Sequence, residues 1–381
     1  MIYRVGSFLL ILGLLPACST HSHWEGMKTA RKTFEAQRLE PVPLSGFRDF
    51  RGAIHVHSYL SHDSQGTPDE ILQAAKIARL NFLIMTDHNT PRIYQEGMNG
   101  WYGKLLVIRG AEIGMNGSYI LAIGLSKDLD PTPHSMSETL RQVKALGGMA
   151  IVAHPKRFRS WDSHDYEAME AYDLLDSIKE QRWRYPRYLF DFLYSFGSYP
   201  EELFISIIER PDWSLNRWDE INRDRKISAI GTSDAHQNMK FLGRQLDPYS
   251  ISLRFVDTHI LAPRLDQETV LSALRSGHAY VSYDLLADPT GFQFFAMDPS
   301  HTWIMGDDVP LETNLQLVIK SPLPARIRLL KDGRVIRETV ADTLMIPIQT
   351  EGIGVYRTEL SLKVLNQWIP WIFSNPIYIR R

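Results

Sequence analysis

Short apolar runs recur from residue 47 to about 284, each followed by a polar cluster and then an amphipathic stretch. The runs at 53–56, 82–85, 105–108, 150–153, 204–208, 227–230 and 259–262 predict strands. The stretches between them carry helix signals. Pro68-Asp69-Glu70 suits a first helical turn, and Ile71, Leu72, Ala75 and Ala78 form one apolar stripe. Ser135 with Glu138 reads as a capping box on a helix that Gly147-Gly148 stops. Asp266 caps another, which Gly277 ends. Alternation of this kind predicts an α/β domain with a mostly parallel sheet or barrel.

Beyond residue 284 the helical stripes vanish. Runs at 315–319, 326–330, 335–339, 355–362 and 371–379 read as β-strands, with Asp332-Gly333 as a hairpin signal between two of them. The expectation is a small all-β sandwich over 285–381. Between 160 and 218 the chain is dense in aromatics, among them Trp161, Trp183, Tyr185, Tyr188, Phe190, Phe192, Tyr194, Trp213 and Trp218. These predict either a wall of a substrate pocket or an aromatic-packed helical insertion.

The first residues are of another kind. Arg4 precedes an apolar stretch at 8–15 that is too short to span a bilayer. It ends at Leu15-Pro16-Ala17-Cys18, and Cys18 is the sole cysteine. This resembles a bacterial lipobox, so residues 1–17 are expected to be a lipoprotein signal peptide and Cys18 the lipidated residue. A plain signal peptide that happens to hold a cysteine is the other reading. Ser19 at the next position suggests sorting to an outer membrane, on its periplasmic side. Membrane contact would then come from the lipid. Residues 18–46 form an anchor and spacer, or else residues 24–39 form a helix packed on the domain.

The polar clusters carry the chemistry. They are His55 and His57, then Asp87 and His88, Glu112, His154, and Asp234 with His236, each placed just after an apolar run. A single His-x-His is weak, since 13 histidines in 381 residues give roughly 0.4 such pairs by chance. On a strand, positions i and i+2 share a face, so His55 and His57 can serve one metal. Five strand ends bearing imidazole and carboxylate are far less accidental, and barrels collect function at the C-terminal rim. Donors of these types without thiolate suit zinc, manganese or iron. Two or three divalent ions are expected, with a hydroxide between metals as nucleophile. Lys156, Arg157 and Arg159 follow His154 closely and are candidates for a phosphate clamp.

In this order the clusters resemble the PHP superfamily, named after polymerase and histidinol phosphatase. The resemblance spans about residues 50–282 and implies a distorted (β/α)7 barrel, here over 47–284, with phosphoesterase chemistry. It implies that His55, His57, Glu112 and Asp234 hold a first ion, that Glu112 bridges to a second bound by His154, and that His88, His236 and His62 hold a third. Asp63 is the alternative to His62. Asp87 is expected as an orienter beside the ligands, and His236 or a metal-bound water as the proton source for the leaving group. Asp173, in Glu170-Ala171-Tyr172-Asp173, is a weaker ligand candidate. Gly354-Val355-Tyr356-Arg357-Thr358-Glu359 and the segment 370–378 resemble the C-terminal domain of bacterial relatives of carbaryl hydrolase.

Composition then sets the bounds. The chain is 44% hydrophobic and 23% charged, with formal net charge −2, which gives no strong nucleic-acid signal. The expected activity is metal-dependent hydrolysis of a small phosphoester. Carboxylester or carbamate hydrolysis at the same metals is the first alternative, and a non-catalytic surface-binding lipoprotein the second.

Overall fold

The computed structural model describes residues 5–40, 42–44, 46–125, 127, 129, 135–180, 195–241, 243–312, 314–348 and 351–381, the side chains of 5–20, 175, 180 and 241 excepted. The fold is mixed α/β. Strands β1 (Arg48–Val56), β2 (Phe82–Met85), β3 (Leu105–Met115), β4 (Ser118–Ile123), β5 (Met149–Ala153), β6 (Ala168–Asp173) and β7 (Ser228–Thr232) neighbour one another in that order. The first three run parallel. β4 returns antiparallel between β3 and β5, and the last three are parallel again. Past β7, Ala235 bridges Val56 in parallel and exchanges backbone hydrogen bonds with His55 and His57 at 3.2 and 3.0 Å. The row thus closes on itself at its rim, beside the polar clusters.

These strands are buried on both faces, which is why they read as unbroken apolar runs. One face contributes Ile54, Ile84, Ile108, Leu121, Ile151 and Ile230 to a common cluster. The other face, through Ala53, Leu83, Met85 and Val107, meets Ile71, Ala74 and Ala75 of the helix Pro68–Ile77. Thr67 and Glu70 close a capping box at its start, worth about 1 kcal/mol, with Pro68 in the first turn. The helix Gln267–Ser276 begins on a reciprocal Asp266–Thr269 pair and ends at Gly277 with φ +78°.

Two expectations change. Residues 204–208 are not a strand: the helix Pro200–Ile205 takes the first two and a turn follows it. Pro200 presets its first turn, and Glu201 and Glu202 favour a helix N-terminus. The sheet position goes instead to β6. At the other end of the chain, a helix runs Val5–Gln37. Trp24 and Met27 are buried in the core, and Arg31 pairs with Glu201 and Glu202 at 2.6 and 2.9 Å. Of the two readings of 24–39, the packed helix is the one found. Among the described residues no helix is long and apolar enough to cross a membrane.

Two further strands, β8 (Asp257–Ala262) and β9 (Ala279–Ser282), continue antiparallel from β1. After Ser276 every element among the described residues is a strand: chiefly β10 (Gln293–Met297), β11 (Gln316–Lys331), β12 (Arg334–Pro347), β13 (Gly354–Val364), β14 (Gln367–Ser374) and β15 (Ile377–Arg380). β11 merges the two runs expected at 315–319 and 326–330 into one strand, irregular between Lys320 and Ala325. Asp332 and Gly333 turn it into β12 with φ of +51° and +81°, a two-residue type I′ hairpin. The aromatics Trp183, Tyr185, Tyr188, Phe190, Phe192 and Tyr194 lie outside the described residues.

Candidate metal centre

His55 and His57 converge by a different route from simple strand alternation. Against β2, Ile54 faces Ile84 and Val56 faces Met85, so His55 is an extra residue, a bulge. It takes φ +65°, in the left-handed region that non-glycine residues seldom occupy. His154 and Asp234 do the same at +45° each. Backbone of this kind costs of order 1–3 kcal/mol per residue and collects where side chains must be aimed for function.

The aimed side chains meet. His55 Nε2 and His57 Nε2 each lie 3.3 Å from Asp234 Oδ1, and 3.6 and 3.5 Å from Glu112 Oε2. Glu112 also reaches His154 Nε2 at 3.3 Å through Oε1 and His88 Nδ1 at 3.0 Å through Oε2. Asp63 Oδ2 lies 3.1 Å from His88 Nε2 and 3.4 Å from His236 Nε2. His236 donates from Nδ1 to the Asp234 carbonyl at 2.8 Å, which leaves Nε2 toward the cleft.

Four atoms decide what this arrangement fits. His55 Nε2, His57 Nε2, Glu112 Oε1 and Asp234 Oδ1 are buried and have no hydrogen-bond partner. Leaving such a group unsatisfied costs about 1–3 kcal/mol, and here the unsatisfied groups cluster. Three overlapping donor sets have their atoms within 4.8 Å of one another: His55, His57 and Glu112; His55, His154 and Asp234; and His57, Asp63, His88 and His236. Imidazole and carboxylate of this kind fit divalent cations.

The electrostatics agree. Burial opposes charge on His55, yet Asp234, Glu170 and Glu112 hold its pKa well above the ordinary value. His154 is raised against burial by Asp176 and Glu112. His88 is pushed up to about 9, burial being outweighed by Glu112 and Asp63. Burial lowers His57 despite Asp234, and His236 and His55 add repulsion. For Glu112 and Asp234 burial works upward, but the histidines around them hold both well below the usual carboxylate range.

A metal must displace protons held this way. His88 is raised from 6.5 to about 9. Its contribution to the stability of the metal-free protein is therefore whole below pH 6.5 and is lost as pH rises through about 9. Metal affinity runs in the opposite sense. Chelator competition should show zinc affinity rising about tenfold per pH unit for each proton displaced, over roughly pH 6 to 8. An affinity flat across that range would contradict these assignments.

The structure brings His55, His57, His88, Glu112, His154, Asp234 and His236 together. It does not bring in His62. That ring is exposed, packs against His88 with centroids 4.8 Å apart, and belongs to none of the donor sets. Asp63 takes its place, because its shorter carboxylate turns inward between His88 and His236. Asp87, expected as an orienter, belongs to none of the donor sets and lies behind them. It accepts from Ser58 N, Ser58 Oγ and Ser61 Oγ at 2.6, 2.8 and 2.7 Å, and Ser61 Oγ lies 3.0 Å from His57 Nδ1. Asp87 positions His57 through that serine.

Among the three basic residues only Arg157 lines the cleft over the centre, where Lys179 joins it. Lys156 lines an adjoining cavity, 6.0 Å from the Trp213 ring. Arg159 is exposed, and its backbone N–H donates to Ser118 Oγ at 2.9 Å. Cys18 lies in the helix Val5–Gln37, its side chain outside the description.

Sequence reasoning missed Glu170 and Asp176 and placed Asp173 only weakly. The pairing of β6 with β7 shifts between Glu170 and Tyr172. The extra residue changes the side-chain parity, so Glu170 and Asp173 both face the centre while Tyr172 packs on Phe255 and Tyr283. Burial, with Asp234 and Glu170 adding repulsion, raises the Asp173 carboxyl well above its usual range.

No family model matches the chain. An uncharacterised protein of Methanocaldococcus jannaschii is 35% identical over 114 residues, which is 27% of this chain and 66% of that protein, just under two thirds of its length. Among solved structures, a two-domain Bacteroides vulgatus protein containing a predicted PHP-like metal-dependent phosphoesterase is similar with a TM-score of 0.45 and 14% identity, over 88% of this chain and 98% of that one. Endonuclease Q, bound to a 27-mer duplex with an abasic lesion, is similar with a TM-score of 0.38 and 14% identity, over 60% of this chain and 56% of that one. Both scores lie below 0.5, a likeness too weak to fix fold or reaction. What the residues themselves establish is a buried histidine–carboxylate centre, fit for divalent metal, at the rim of a mixed α/β body.

Proposed function

We propose that the chain is a metal-dependent hydrolase of the PHP type whose substrates are phosphoesters. One observation carries the reading: buried donor atoms of His55, His57, Glu112 and Asp234 stand without partners, and Glu112 and Asp234 line an open cleft of about 870 Å³. Divalent ions bound there would supply Lewis acidity and neutralise charge developing on the ester oxygens. The chain's own residues do the rest. Arg157 and Lys179 line the same cleft and meet an anionic substrate as it enters. Asn89, Asn116 and Asn238 add amide groups to the wall. His236, held through Nδ1–H by the Asp234 carbonyl, offers the Nε2 lone pair to a metal, or, when the ring is doubly protonated, the Nε2 proton to the departing oxygen.

The same reading takes 47–284 as the hydrolase domain, a distorted (β/α)7 barrel, and 285–381 as a β-sandwich. It takes residues 1–17 as a signal peptide and places lipid on Cys18, holding the protein to a membrane outside the cytoplasm. The motif Leu15-Pro16-Ala17-Cys18 supports this placement.

The test is turnover by the purified protein of a phosphodiester, bis(p-nitrophenyl) phosphate, beside p-nitrophenyl acetate and a naphthyl carbamate, before and after chelation. We expect phosphodiester cleavage that chelation abolishes and manganese or zinc restores. Cleavage confined to the acetate or carbamate would move the assignment to carboxylester or carbamate chemistry at the same metals. No bound metal and no turnover would end the hydrolase reading.

A further inference from the structure

We propose that Glu170 is a positioning residue that sets two metal-donor histidines at once; this rests on the reading of the cleft as a metal centre. Glu170 sits in the middle of β6 and is fully buried. Its Oε1 accepts from His55 Nδ1 at 2.6 Å and has Thr232 Oγ1 at 3.0 Å. Its Oε2 accepts the backbone N–H of His154 at 2.7 Å. Both oxygens are therefore engaged by the protein, on groups from β1, from the residue just past β5, and from β7.

Each bond has a consequence at the centre. A proton held on His55 Nδ1 leaves Nε2 with a free lone pair, and Nε2 is the atom that faces Glu112 and Asp234. The second bond grips His154 by its backbone. His154 is one of the left-handed residues, and a charged acceptor on its N–H holds that conformation more firmly than a neutral one. With the backbone fixed there, His154 Nδ1 meets Asp176 at 3.0 Å and Nε2 meets Glu112 at 3.3 Å. One carboxylate thus sets the tautomer of one donor and the backbone of another, across strands that do not all touch.

Glu170 is also close enough to His55 and Asp173 for the three to hold an ion themselves. As a ligand through Oε1, however, it would have to release one of the two hydrogen bonds that atom already accepts. The two roles differ in what a variant loses. A ligand variant loses a whole equivalent of metal. A positioning variant keeps the count and loses affinity.

Cobalt(II) separates these cases, because its absorption reports ligand geometry and its affinity can be measured by chelator competition without turnover. The proteins to compare are wild type, Glu170→Gln and Thr232→Val, each metal-free and then titrated. Glu170→Gln should remain folded when metal-free, bind the same number of cobalt ions as wild type, bind them about 10- to 100-fold more weakly, and show an altered spectrum. Thr232→Val should lose a few-fold in affinity. Unchanged affinity and spectrum in Glu170→Gln would overturn the proposal, as would the loss of one whole equivalent. Unfolding of metal-free Glu170→Gln, with Thr232→Val like wild type, would assign Glu170 to the fold alone. A wild-type chain that takes up no cobalt would instead overturn the metal reading beneath it.

Discussion

Replacing Glu112 by glutamine should lower kcat/KM on any substrate the wild-type protein cleaves by at least about a thousandfold, and should lower its bound metal. Glu112 reaches histidines of all three donor sets. Its two oxygens lie 3.0 to 3.6 Å from His55, His57, His88 and His154. No other carboxylate of the centre lies within 4.0 Å of both His88 and His154. Glutamine keeps the shape and removes the charge, so the loss is electrostatic and not a cavity. Several kcal/mol of charge stabilisation is the usual yield of a metal in such a site, and 1.36 kcal/mol is tenfold in rate. The measurement is steady-state kinetics with elemental analysis on the same sample, plus circular dichroism to confirm the fold. A folded Glu112→Gln protein with full metal and wild-type turnover would remove the cleft from the chemistry.

Much of this centre was legible in the chain, and the reason is physical. Strands buried on both faces must be short and apolar, so a histidine or carboxylate at their ends stands out. That rule found His55, His57, His88, Glu112, His154, Asp234 and His236. It failed where a strand is itself polar. β6 reads Ala-Met-Glu-Ala-Tyr-Asp, with Glu170 and Asp173 inside it, so the apolar run at 204–208 drew the assignment away. It also failed at β4, although Asn116-Gly117 with φ of +51° and +79° is a type I′ hairpin turn readable from the dipeptide. The choice of Asp63 over His62 needed coordinates, because adjacent residues in a loop can present either side chain inward. Left-handed φ at His55, His154 and Asp234 leaves no trace in composition. The β-rich end was readable from alternation and Asp332-Gly333, but its attachment to the rest was not.

That attachment predicts the largest stability loss: Arg357→Ala should destabilise the protein by about 3–5 kcal/mol. Arg357, on β13, is 1% exposed and forks onto Asp219 of the helix Asp212–Asp224, with two bonds of 2.7 Å. Its remaining nitrogen donates to Glu359 at 2.6 Å. Glu359 also accepts Arg210 at 2.8 and 2.7 Å, and Trp218 lies beneath the guanidinium at 5.4 Å. Burial works to raise the Glu359 carboxyl, but Arg210 and Arg357 hold it at about 2. Because its folded pKa is depressed, its contribution is whole above its ordinary 4.5 and is lost as pH falls toward 2. Alanine at 357 strands one buried carboxylate, Asp219, while Glu359 keeps its two bonds from Arg210, and an uncompensated buried charge costs more than the ion pair ever contributed. The exposed pair Arg92–Glu96, at 2.9 Å, is the control, and its loss should not move the unfolding midpoint. Replacing Arg357 and Asp219 together by apolar residues of similar size should recover much of the loss, since no buried carboxylate is then left without its partner. Urea or thermal unfolding of the three proteins checks this. If Arg357→Ala unfolds no earlier than the surface control, the buried network does not join helix Asp212–Asp224 to β13, and some other contact carries that junction.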